Sequence, residues 1–131
     1  MVIDNKILDG LLEKAKNSPR LRMNLDMRTS SSDNSQRMLN ALLPGTVLPI
    51  HRHQHTTEFV TLLCGRLEQI YYDDNGNATE HFILDPREGK YAMSIPQGQW
   101  HNTIALEPCI IFEAKDGAYI PIGADDILEK K

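Results

Sequence analysis

The chain has 131 residues, 40% hydrophobic and 24% charged, with a formal net charge of −4. That is the length of one domain with material for one sizeable core, and its mild acidity provides no general pull toward nucleic acid or an anionic membrane surface. No run approaches the ~20 apolar residues that cross a bilayer, and Asp4 and Asp9 interrupt any secretory apolar segment, so the expected setting is cytoplasmic, without nucleic-acid or membrane partners.

Residues 4–16 read as a helix, with Ile7, Leu8, Leu11, Leu12 and Ala15 on one face, Asp4 as N-cap and Asn17-Ser18-Pro19 as the stop. Gly10 costs about 1 kcal/mol relative to alanine, so this helix needs a surface to dock on. From Leu21 the apolar period drops to two, through Met23, Leu25 and Met27. After the polar loop 29–35, short strand-like runs follow at 36–43, 47–53, 58–63, 66–72, 79–84, 91–95, 102–106 and 109–114. Turn residues separate them, and Asn75-Gly76 is the strongest hairpin signal. Many short strands at regular spacing predict an all-β sandwich or barrel with an N-terminal helix. The expected layout is a helix over 1–19, a barrel over 20–123 and a tail or short helix over 124–131. Cys64 and Cys109 lie in apolar runs and read as buried free thiols.

The chemistry concentrates on four side chains. His51 and His53 stand two apart in a strand-like run, so both point to one face. Glu58 lies at an odd offset from His53, but the polar stretch Gln54-His55-Thr56-Thr57 reads as a turn, after which Glu58 can face back. His101 arrives just after the turn Pro96-Gln97-Gly98. Three imidazoles and a carboxylate suit one divalent transition metal: imidazole suits zinc, iron, nickel or copper, and the carboxylate widens the choice toward manganese. Histidine ligates in its neutral form, so affinity should fall on acidification.

The spacing Gly45, five residues, His51-x-His53, four residues, Glu58, six residues, Gly65 resembles the first cupin motif, and Pro96-x-Gly98-x-x-His101 resembles the core of the second. Gly89 lies one residue further from its proline than in that motif, and Ala105 stands where asparagine is usual. The resemblance implies a small cupin barrel, a double-stranded β-helix or jelly roll, with His51, His53, Glu58 and His101 as metal ligands. The stretches Arg22-Met23-Asn24-Leu25, 36–42 and 112–119 are similar to the WbuC family of cupin-fold metalloproteins over about residues 20–122. That family has Gly-Pro-Tyr where this chain has Gly117-Ala118-Tyr119, and proline where it has Ile50. Its members are often encoded near surface-polysaccharide genes, and dimers are common among such barrels.

Gln36 and Asn40 share a strand face that can reach a ligand, and His55 sits in the turn at the expected barrel mouth. Trp100, beside His101, can stack on a sugar, although packing is its commoner role. Glu113 and Tyr119 are the candidates for proton handling. The leading expectation is a metal-dependent cupin that binds or acts on a small polar metabolite, with a carbohydrate favoured. If it is an enzyme, an isomerase or epimerase step fits. An Fe(II)-dependent dioxygenase and a non-catalytic binding module are the alternatives.

Overall fold

The computed structural model describes residues 1–128. Asp4 caps the helix α1 (Asn5–Lys16), its side chain accepting the Ile7 N–H at 3.1 Å. Ten strands follow: β1 (Arg22–Asp26), β2 (Ser35–Leu42), β3 (Ile50–His51), β4 (Glu58–Cys64), β5 (Leu67–Tyr72), β6 (Ala78–Leu84), β7 (Ala92–Ile95), β8 (Trp100–Ala105), β9 (Cys109–Asp116) and β10 (Ile127–Leu128). They form two antiparallel five-stranded sheets, ordered β1-β2-β9-β4-β7 and β10-β3-β8-β5-β6. This is the all-β jelly roll with an N-terminal helix that the sequence predicts.

Alternation along each strand sorts its side chains to two faces. Leu39 and Ala41 of β2 and Ile110 of β9 face outward and meet Leu11 and Ala15 of α1, with Met23, Leu25, Met27 and Phe112 packed around them. The helix thereby covers one outer sheet face, the docking surface that Gly10 made necessary. The inward rows form the main core of Leu42, Val60, Leu62, Leu67, Tyr71, Leu84, Ile95, Ala105, Cys109 and Ile111.

Those inward rows change character along their length. On β9, Cys109 and Ile111 belong to the core, whereas Glu113 and Lys115 line a pocket. On β4, Glu58 lines the pocket and Val60 and Leu62 enter the core; on β8, His101 and Thr103 line the pocket and Ala105 enters the core. One end of the barrel is thus sealed by apolar packing and the other is left polar.

The structure departs from the sequence reading at several ends. The predicted strand 47–53 pairs only at Ile50–His51. Pro49 has no N–H to give a ladder, and Val47 lies 87% exposed. The predicted strand 102–106 instead starts at Trp100, which places His101 inside β8. In the predicted tail, Ala124–Asp126 makes a single 3-10 turn and β10 pairs with β3, so pairing extends past residue 123, while residues 129–131 lie outside the described residues. Cys109 is buried as expected, but Cys64 is only half-buried; both thiols are free.

Gly65 sits at φ +90°, and a Cβ there would lie 2.3 Å from the Pro108 carbonyl oxygen and 2.7 Å from the Cys109 Cβ. At helical Gly10 an added Cβ meets nothing within 4 Å. Gly65→Ala is therefore expected to cost about 2–4 kcal/mol of unfolding free energy. Gly10→Ala should add about 0.5–1 kcal/mol. Urea titrations of both variants check the contrast.

Candidate metal centre

Two distant segments meet through strand pairing. His51 on β3 lies directly opposite His101 on β8, and Tyr71 on β5 flanks His101 from the other side. Beyond β3 the chain continues to His53, whose carbonyl accepts the Gly98 N–H at 2.9 Å. This bond ties the exit of β3 to the Pro96–Gln99 turn that delivers His101. Gly98 holds φ +77° there, a conformation favouring glycine. The chain bends at Gln54 and His55, within the predicted turn, and the Thr57 N–H donates to Asp116 Oδ1 at the end of β9 at 2.7 Å. β4 then opens on Glu58, and the odd sequence offset is absorbed.

One ring nitrogen from each of His51, His53 and His101 lies within 4.8 Å of the other two, close enough for all three to share a metal ion. His51 Nδ1 is 3.0 Å from the Pro49 carbonyl, and His101 Nδ1 is 2.9 Å from the Gln99 carbonyl. A carbonyl only accepts, so these Nδ1 atoms carry the protons and leave the Nε2 lone pairs for the pocket when the rings are neutral. Glu58 Oε2 stands 3.5 Å from His53 Nε2 and 3.4 Å from His101 Nε2. It is buried and has no hydrogen-bond partner. Two atoms bound to one ion at about 2.1 Å and a tetrahedral angle lie about 3.4 Å apart. An orphaned carboxylate oxygen, spaced in this way from two imidazole nitrogens with a third nearby, fits a divalent cation.

Burial lowers the pKa of His51, and the neighbouring His101 lowers it further. Burial, then the Lys115 charge, brings His53 down to about 4. Both rings are therefore neutral at neutral pH. Burial by itself would raise the Glu58 carboxyl, but the adjoining His101 outweighs that and holds it low. His101 moves up, because Glu58 beside it outweighs the cost of burial. Of the three rings, His101 is thus the one that a proton is held on most firmly.

These groups open into a cavity of about 460 Å³, also lined by Arg22, Asn40, Glu113, Lys115 and Tyr119, with Leu42, Leu48 and Ile111 as apolar wall. Burial, and then the negative charge of Glu58, push the Glu113 carboxyl up to about 7. Tyr119 is 54% exposed and its ring stacks under Arg28 at 5.5 Å. Asn40, Glu113 and Tyr119 thus reach the pocket.

The three other expected pocket residues, Gln36, His55 and Trp100, do not line this cavity. Gln36 donates to the Gly117 carbonyl at 2.9 Å and borders a smaller cavity with His53 and the exposed His55. Trp100 points away: as the strand neighbour of inward-facing His101 it must occupy the opposite face. There it packs with Ile50, Ile70 and Tyr72, donates to Asp74 Oδ1 at 3.0 Å, and carries the Arg52 guanidinium 4.3 Å above its ring. The sequence reading missed Lys115 and Arg22. Lys115 was accessible through its two-residue offset from Glu113, whereas Arg22 required knowing which face of β1 turns inward.

Residues 3–84 match a family described as a domain of unknown function (DUF6016). No curated protein matches the chain. Among solved structures, recombinant oxalate oxidase in complex with glycolate superposes with a TM-score of 0.64 at 14% identity, covering 81% of this chain and 56% of that one. The capsular polysaccharide assembling protein CapF from Staphylococcus aureus gives 0.62 at 17% identity, covering 75% of this chain and 27% of that one. KdgF from Halomonas sp. gives 0.57 at 18% identity, covering 76% and 82%. The chain spans little more than half of the oxalate oxidase. These likenesses establish the cupin fold.

A histidine held at a lowered pKa binds fewer protons folded than unfolded, so its contribution to stability is lost as pH falls from about 6.5 toward the folded value. For His53 that window runs down to about 4. In metal-free protein, His53→Gln is expected to lose less stability between pH 7 and pH 5 than the wild type, read from urea midpoints at the two pH values.

Proposed function

Because the chain belongs to the family described as a domain of unknown function (DUF6016) and folds as a cupin, we propose that it is a metal-binding cupin that binds or acts on a small polar metabolite. A carbohydrate is the favoured class. The observation that carries the reading is the buried, unpartnered Glu58 oxygen 3.4–3.5 Å from two imidazole nitrogens. His51, His53, Glu58 and His101 would hold one zinc, iron, manganese or nickel ion. The carbohydrate preference rests on the resemblance to the WbuC family, and the likeness to a capsular polysaccharide assembling protein supports it. In this reading the protein is cytoplasmic and works as a homodimer.

A divalent ion there would supply Lewis-acid polarisation of a bound carbonyl or hydroxyl oxygen. The remaining work falls to this chain's own side chains. Glu113, with its carboxyl pushed up to about 7, can hold or release a proton near neutral pH. That property suits an isomerase or epimerase step. Asn40 offers an amide to ligand hydroxyls, and Tyr119 presents its phenol from the exposed rim. Leu42, Leu48 and Ile111 keep part of the wall dry, which strengthens each polar contact made beside them.

Elemental analysis of untagged protein, purified without chelator and reloaded with each metal in turn, tests the proposal. The expected result is about one tightly held ion per chain for at least one metal. Glu58→Gln and His101→Ala should each weaken that binding roughly tenfold or more, since a lost ligand costs at least as much as a lost partner of a ligand. Failure of every divalent transition metal to bind the folded wild-type protein would sink the reading.

A further inference from the structure

We infer that the ligand of this pocket carries an anionic oxygen group, a carboxylate or a phosphate, and that Arg22 selects for it, with Lys115 as the second cation. The inference rests on the reading of this cavity as the ligand site and specifies what that ligand must contain.

Arg22 and Lys115 line the same cavity as the three histidines. Arg22 stands on the edge strand β1, in register with Leu42, whose side chain enters the barrel core. Paired residues on neighbouring strands share a face, so Arg22 projects inward from the rim strand. The other partly buried arginines each hold a carboxylate: Arg28 on Asp26, Arg37 on Asp33, Arg52 on Asp126 and Arg66 on Asp85, at 2.7–3.1 Å. Among the described residues, Arg22 has no such partner. Lys115 reaches Glu113 only at 3.8 Å.

The charges in the cavity point the same way. Even with both carboxyls ionised, Glu58 and Glu113 do no more than balance Arg22 and Lys115. Any divalent ion bound by the histidines therefore leaves a positive excess that the protein itself does not neutralise. A neutral sugar would leave that excess unmet in a partly dry cavity, whereas an anionic ligand would meet it. Guanidinium presents a planar fork of N–H donors that fits carboxylate or phosphate through two parallel hydrogen bonds. A cavity of about 460 Å³ also lies within the usual range for small-molecule sites.

Calorimetric titration of the folded protein with D-glucuronate, D-glucose 6-phosphate and D-glucose tests this, in metal-free and metal-loaded forms. The wild type is expected to bind at least one charged sugar roughly tenfold or more tightly than glucose, as a charge-assisted contact allows. Which one it favours distinguishes carboxylate from phosphate. Arg22→Gln should remove that preference while leaving metal content and the circular dichroism spectrum unchanged. Lys115→Gln serves as the variant if Arg22→Gln does not fold, with the same expected loss. The inference is overturned if the wild type favours neither charged sugar, or if the folded variant keeps the preference. Preference that depends on Arg22 in a protein that binds no metal would uphold the inference and refute the metal reading, so the two fail separately.

Discussion

The pairing of β3 with β8, which sets His51 opposite His101, is the constraint on which the candidate centre depends. β3 is only two residues long and cannot hold itself in place. It is fixed from three sides: by β8, by β10, and through the bond between the Gly98 N–H and the His53 carbonyl. Each tie joins segments far apart in sequence, so the histidine cluster exists only once the barrel has closed. A centre assembled in this way is preorganised, because the strands that carry it are already paid into the fold's hydrogen-bond ladders.

The division of the barrel into a sealed end and a polar end follows from the inward rows. Had β9 continued past Ile111 with apolar residues, the cavity would have filled with core. Glu113 and Lys115 at the next inward positions keep it open and charged. The outer face of the same strand remains apolar, with Ile110 and Phe112 under the helix. A single strand thus serves three environments, with alternation choosing the face and position along the strand choosing the polarity.

Electrostatics distinguishes the four central side chains from ordinary buried polar groups. A buried carboxylate oxygen usually finds a donor, yet Glu58 Oε2 has none, while the carbonyls of Pro49 and Gln99 occupy the Nδ1 atoms of two nearby imidazoles. Lone pairs on both sides therefore face one point. Such a cluster is poorly satisfied by protein alone and well satisfied by a cation, which gives it a meaning beyond packing.

Apolar periodicity and turn residues, read as linear sequence, determined the N-terminal helix with its Asp4 cap and the β-rich architecture, and the histidine and glutamate spacing singled out the four side chains now found together, because turn chemistry and alternation are local. Trp100 shows that locality used incompletely: its adjacency to His101 already excluded it from the inward face. Other features were decided only by tertiary structure. Pro49 confined β3 to two residues, Gln36 was drawn to the Gly117 carbonyl, β10 was recruited to the sheet, and Arg22 was turned into the pocket. Each of these depends on which strands become neighbours and which sheet face becomes the interior, and no short window of sequence contains that choice.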